Sequence, residues 1–83
     1  MSERDDLLAA HEKAQLELNR ATLDLWVLRR RDRLGEQELD AETRETAKAR
    51  IRGAEVEARR TERACRNAGV TLVRQAAIGR RTP

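Results

Sequence analysis

The chain has 83 residues, of which 40% are charged, and its formal net charge is +3. A single hydrophobic core is usually marginal at this length, so such chains often depend on a staple or a partner. One cysteine and one histidine cannot form an internal disulfide or supply the four ligands of a structural zinc site. The composition predicts no metal and no other cofactor, and we expect stability to come from helix packing or association.

The composition also indicates the fold class. Phe and Tyr are absent, Trp26 is the only aromatic residue, and the only proline is Pro83. A chain rich in Ala, Glu, Arg and Leu without internal proline is typical of long helices or coiled coils. The N-terminus is charged from residue 3, and no apolar run approaches the length of a membrane span. We therefore expect an all-α, cytoplasmic protein with no membrane partner.

The first predicted helix covers about residues 2–34. Ser2 and Asp5 have the spacing of an N-terminal capping box, and Gly35 stands where a helix-ending glycine is common. Between them, apolar or small residues recur in alternating steps of four and three, which is the spacing of a heptad seam. This first seam consists of Leu7, His11, Ala14, Leu18, Ala21, Leu25 and Leu28.

The second predicted helix covers about residues 41–68, with Asp40 as its N-cap. Its seam has the same alternating spacing and consists of Ala47, Ile51, Ala54, Ala58, Thr61, Cys65, Ala68 and Leu72. We expect this helix to run through Gly53 and to end or kink at Gly69. Residues 70–83 then form a short third helix or a flexible basic tail. The short connection at about 35–40 predicts an antiparallel, coiled-coil-like hairpin over residues 1–69.

The first helix carries a second apolar stripe that the hairpin seam does not include. At about 100° per residue the stripe falls nearly opposite the seam, with Trp26 between the two. A helix that is apolar on two faces is normally buried on both faces. The predicted protein interface consists of Leu16, Leu23, Trp26, Val27 and Leu34. The main expectation is a symmetric homodimer that forms a helical bundle, and the alternatives are a different protein client or the chain's own C-terminal segment.

Basic residues accumulate toward the C-terminus and offer a second kind of surface. Those that could contact nucleic acid or an acidic partner are Arg59, Arg60, Arg63, Arg66, Arg74, Arg80 and Arg81. A basic stripe is a common feature of nucleic-acid binding. Aromatic side chains for base stacking are missing from this region, and the acidic N-terminus offsets part of the charge. Nucleic-acid binding is therefore possible but not favoured.

The connection also permits a comparison with an enzyme family. Residues 23–45, about a quarter of the chain, resemble the small all-helical chorismate mutases, and Asp40, Arg44 and Glu45 are similar to the acidic stretch that opens the second helix of that family. The resemblance implies a dicarboxylate bound by helix-borne arginines, a lysine and a glutamate. The chain departs from that family because its connection is too short and lacks a lysine, and because the third helix with its polar active-site residue is missing or stunted. The sequence therefore predicts no catalytic residues and no enzymatic activity.

These features together favour a non-catalytic helical module for protein–protein interaction or assembly. A small adaptor, a regulatory protein or a virion-associated protein would fit this prediction. The alternative is a nucleic-acid-associated accessory protein that uses the basic C-terminal region.

Overall fold

The structure is a computed structural model that describes residues 2–72, and two α-helices account for most of them. Helix α1 spans Glu3–Arg33 and helix α2 spans Ala41–Asn67. The two helices pack against each other in antiparallel orientation. The predicted all-α helical hairpin is therefore confirmed. Of the segment predicted as a third helix or tail, residues 73–83 lie outside the described residues.

Both helices begin at the predicted capping residues. The Ser2 hydroxyl accepts a hydrogen bond from the Asp5 backbone N–H at 3.2 Å, and the Asp40 carboxylate accepts one from the Thr43 N–H at 2.7 Å. Each bond satisfies a backbone donor that has no partner inside the helix. The hydrogen bonds from the backbone and side chain of Thr43 lower the pKa of Asp40. The cap is therefore an ionised carboxylate at neutral pH.

Both helices end at a glycine in the left-handed region. The φ angles of Gly35 and Gly69 are +76° and +75°. After α1 the Glu36 N–H donates to the Arg31 carbonyl at 2.9 Å, and after α2 the Val70 N–H donates to the Cys65 carbonyl at 2.8 Å. This bonding pattern is the Schellman motif, which satisfies carbonyls at a helix C-terminus. Helix α2 ends at Asn67, two residues before Gly69.

The core between the helices is the predicted seam and is made mainly of small side chains. Its buried members are Ala14, Ala21, Leu25, Ala54, Ala58, Thr61 and Cys65, and Val70 is buried beyond the end of α2. Alanine at most of these positions lets the two helix backbones approach closely. Leu7, His11, Leu18, Leu28, Ala47 and Ile51 are half-buried along the same seam, whereas Ala68 is exposed.

Two polar contacts join the helices near their open end. The His11 Nδ1 and the Thr61 Oγ1 lie 2.9 Å apart, and the Cys65 thiol donates to the Leu7 carbonyl at 3.4 Å. Both pairs are centred on residue 36, next to the turn glycine. The same register sets Ala14 level with Ala58 along the seam. Within the turn, the Leu39 N–H donates to the Asp32 carboxylate at 3.2 Å, which ties the connection to the last turn of α1.

Candidate protein-interaction surface

The predicted interface residues lie mainly at the surface of α1 and at its C-terminal end. Leu16, Leu23, Trp26 and Leu34 are 51%, 57%, 53% and 58% exposed, and Val27 is half-buried. We call these five residues the α1 stripe. Single exposed leucines are common on soluble proteins, but here four large apolar side chains are exposed along one helix and its C-cap, three of them on one face. Exposed apolar residues grouped in this way are common at binding surfaces.

The exposure of the α1 stripe follows from where the seam lies. Helix α2 covers the face of α1 that carries Ala14, Ala21 and Leu25. Leu16 and Leu23 project nearly opposite that face because an α-helix turns about 100° per residue. In a hairpin only α2 packs against α1, and it covers the seam face. The stripe on the other face is therefore left exposed.

An open groove of about 650 Å³ lies beside the stripe, where α1 and α2 meet. It is lined by Leu18, Asn19, Thr22, Leu23, Trp26, Ile51 and Glu55. Leu23 and Trp26 belong to both the stripe and the groove, so the two features adjoin at these residues. The Arg30 guanidinium lies over the Trp26 ring, 5.5 Å from its centroid, which is the geometry of a cation–π contact.

The groove lining includes residues that sequence reasoning had not assigned to a site. Leu18 and Ile51 were placed in the seam, where they do lie, and their half-buried state leaves part of each side chain facing the groove. Thr22 and Glu55 were not predicted to take part in any site. The heptad spacing places Leu18 and Ile51 at the junction of the helices, but it does not reveal how much space remains beside them.

The opposite flank of the hairpin is polar and is held by one arginine from α2. The Arg50 guanidinium lies 2.7 Å from an Asp24 carboxylate oxygen and 2.9 Å from a Glu17 carboxylate oxygen. The hydrogen bonds that Arg50 donates, first to Asp24 and then to Glu17, raise the pKa of its guanidinium, so the arginine stays charged. One flank of the hairpin is therefore an ion-paired edge and the other is an apolar groove.

Exposed apolar surface on α2 is limited by comparison. Val56 is 62% exposed on the side of α2 turned away from α1. Its neighbours one helical turn away are Arg52, Arg59 and Arg60. Val56 was not predicted as a site residue, since a single apolar position gives no periodic signal. It provides a matched comparison for the α1 stripe because it is equally exposed but isolated among charges.

Most of the predicted basic residues within the described range have acidic neighbours on their own helix. Arg59 lies 3.9 Å from Glu55 and Arg66 lies 3.8 Å from Glu62. The Glu57 carboxylate accepts two hydrogen bonds from Arg60, and these lower the pKa of Glu57 and raise that of Arg60. Arg63 makes no ion pair with any described residue. The remaining predicted contacts, Arg74, Arg80 and Arg81, lie outside the described residues.

Comparison of the chain with models of known protein families, with curated protein sequences and with solved structures finds no match. Among residues 2–72, no group of three or more His, Cys, Asp or Glu side chains has the arrangement of a metal site. No buried side-chain nitrogen or oxygen in the same range lacks a hydrogen-bond partner. Neither described helix is long and apolar enough to cross a membrane. The α1 stripe and its groove are the candidate binding surface.

Proposed function

We propose that this chain is a non-catalytic module for protein–protein interaction or assembly that binds through the α1 stripe. A small adaptor, a regulatory protein or a virion-associated protein would act in this way. The single observation that carries the proposal is the exposed apolar stripe, which adjoins the groove at Leu23 and Trp26. Four large side chains on this surface remain more than half exposed, although the chain has few apolar residues to spare for its core.

A partner that covers the α1 stripe would gain free energy from the burial of apolar surface. Burial of apolar surface contributes about 25 cal/mol per Å², or roughly 1.5–3 kcal/mol for a fully buried leucine. Trp26 supplies a large, stiff side chain at the edge of the stripe, beside the groove, and tryptophan is enriched among residues that dominate binding energy. The Arg30 guanidinium lies over one face of the ring.

A position-specific photo-crosslinking experiment tests this function. A benzophenone amino acid is placed at position 23 in the α1 stripe, or at position 56 on the outer side of α2, and the chain is irradiated in its native host. We expect a protein adduct from position 23, either with a second copy or with another protein, and much less adduct from position 56. Equal or absent adducts at the two positions would show that the stripe is not a binding surface.

Nucleic-acid binding is a second candidate, and one observation favours it. Arg59, Arg63 and Arg66 occupy one side of α2, and Arg63 has no ion-pair partner among the described residues. The nearby carboxylates of Glu55 and Glu62 reduce the positive potential there. Binding to nucleic acid would fall steeply as salt is added, because bound cations are released from the phosphates. A fluorescence titration with labelled duplex or single-stranded DNA at two salt concentrations separates this candidate from an apolar protein contact.

A further inference from the structure

Four of the five residues of the α1 stripe, all except Trp26, are arranged symmetrically about residue 25. Leu16 and Leu34 lie nine positions on either side of it, and Leu23 and Val27 lie two positions on either side. Two copies of α1 placed antiparallel and centred on residue 25 therefore set Leu16 against Leu34 and Leu23 against Val27. The alternating steps of four and three in a heptad seam are completed along this face by Arg20 and Arg30, which lie between the apolar residues. The stripe is thus complementary to itself in one antiparallel register.

The distribution of charge along α1 also favours an antiparallel pair over a parallel one. Residues 3–17 carry five acidic and two basic side chains, a net charge of −3, whereas residues 19–33 carry two acidic and five basic side chains, a net charge of +3. An antiparallel pair sets the acidic half of each helix beside the basic half of the other. A parallel pair would set like charges together. Complementary charge contributes mainly to orientation and register.

We propose that the occupant of the α1 stripe is a second copy of this chain, bound antiparallel through α1 about a twofold axis near residue 25. This inference rests on the proposed function, because it names the partner of the same surface. The two Trp26 side chains lie close to the axis, at the edge of the contact that faces the grooves. Because the stripe is nearly opposite the hairpin seam, the four helices form a row, with α2 of each copy on the outside.

The register is defined by the two arginines on the same face. Arg20 and Arg30 fall between the apolar residues of the stripe, and a shift of one heptad in either direction sets Leu23 or Val27 against one of them. In the register centred on residue 25 the arginines meet each other instead. Their long side chains can extend to the edge of the contact with their charges in water. Arg30 already lies over Trp26, which is at that edge.

The size of the contact sets the expected affinity. From residue 16 to residue 34 the helix contact is about 27 Å long and about 10 Å wide. This area is small compared with the roughly 800 Å² per partner of typical stable complexes. We therefore expect a dissociation constant on the order of micromolar, and the measurements must cover concentrations from about 1 to 500 µM.

Sedimentation equilibrium over this concentration range tests the second copy as the occupant. We expect the wild type to pass from monomer to dimer, and Leu23→Glu to weaken the dimer by at least about 100-fold because two carboxylates enter the contact. Val56→Glu adds the same charge outside the contact and is expected to change the affinity by less than about threefold. A wild type that remains monomeric at 500 µM overturns the inference. If the wild type is monomeric but position 23 still crosslinks to a different protein in the host, the proposed function stands and only the second copy as occupant is refuted.

Cysteine crosslinking tests the orientation and the register. The native thiol is replaced by Cys65→Ser, which retains a donor for the Leu7 carbonyl, and circular dichroism checks that the background remains helical. A Leu16→Cys chain mixed with a longer, tagged Leu34→Cys chain should form a disulfide of the mixed mass on oxidation. Either chain alone should form no more disulfide-linked dimer than a Val56→Cys chain does. Strong self-crosslinking of Leu16→Cys would indicate parallel pairing, and a dimer without the mixed disulfide would refute this register.

Discussion

The hairpin predicts opposite effects for the same chemical change at two glycines. Gly35 has a φ of +76° at the end of α1, whereas Gly53 lies inside α2. A Cβ built at either position meets no heavy atom within 4 Å. Replacing each glycine by alanine therefore adds a methyl group without a steric clash. The two effects must come from the backbone conformation alone.

The magnitudes follow from that conformation. An L-residue in the left-handed region costs about 1–2 kcal/mol, partly offset because alanine reduces the entropy of the unfolded chain, so Gly35→Ala should destabilise by about 1 kcal/mol. In a helix interior alanine is more stable than glycine by about 0.5–1 kcal/mol, so Gly53→Ala should stabilise by that amount. For a domain of this size, 1 kcal/mol shifts Tm by about 4–8 °C.

Thermal unfolding followed by circular dichroism at 222 nm measures both variants against the wild type. All samples must be at one protein concentration, because self-association would add concentration-dependent stability. We expect Tm to fall for Gly35→Ala and to rise for Gly53→Ala. A shift of the same sign in both variants would refute the reasoning, since it would mean that the two glycines do not differ in backbone conformation.

Two further predictions concern the seam and the α2 cap. Ala58 is buried between the helices, so Ala58→Leu should lower the free energy of unfolding, measured in urea, by about 1–3 kcal/mol. Ala49→Leu adds the same side chain at an exposed position and should change it by less than about 0.5 kcal/mol. Equal losses in the two variants would contradict the close approach of the helices at the seam. The hydrogen bonds from Thr43 lower the pKa of Asp40 in the folded state. The charged form of Asp40 therefore stabilises the folded state above the unfolded pKa of about 3.9, and this stabilisation is lost as pH falls through the lowered folded pKa. The Tm difference between wild type and Asp40→Ala should therefore shrink from pH 7 to pH 2, and a difference that stays constant would contradict an ionised cap.

The seam shows why this fold could be predicted from the sequence. Alternating steps of four and three in both helices define one face on each, and burial of Ala14, Ala21, Ala54 and Ala58 confirms that those faces meet. Gly35 is followed by the turn because a left-handed residue ends a helix without strain. These signals are local, since they depend on residues separated by one or two helical turns. They can therefore be recognised in the sequence without knowledge of the tertiary structure.

The features that were not predicted depend on distances between the helices. Arg50 bridges Glu17 and Asp24, which lie 33 and 26 positions away along the chain. Many arginines and acids alternate in this sequence, and only the register selects this set. The groove beside Trp26 likewise depends on the space left where Leu18 approaches the other helix. The sequence predicts the exposed stripe, but the identity of its partner remains a proposal.

The register centred on residue 36 also has a consequence for how the hairpin forms. Contacts near the turn join residues close in sequence, whereas the His11–Thr61 and Leu7–Cys65 contacts span 50 and 58 positions. The entropy lost in closing a loop increases with its length, so pairing is least costly beside the turn and can then extend outward from helix turn to helix turn. The open end is the last part to close and the first to fray. The His11–Thr61 and Leu7–Cys65 contacts lie at this end, so they form after pairing beside the turn has set the register.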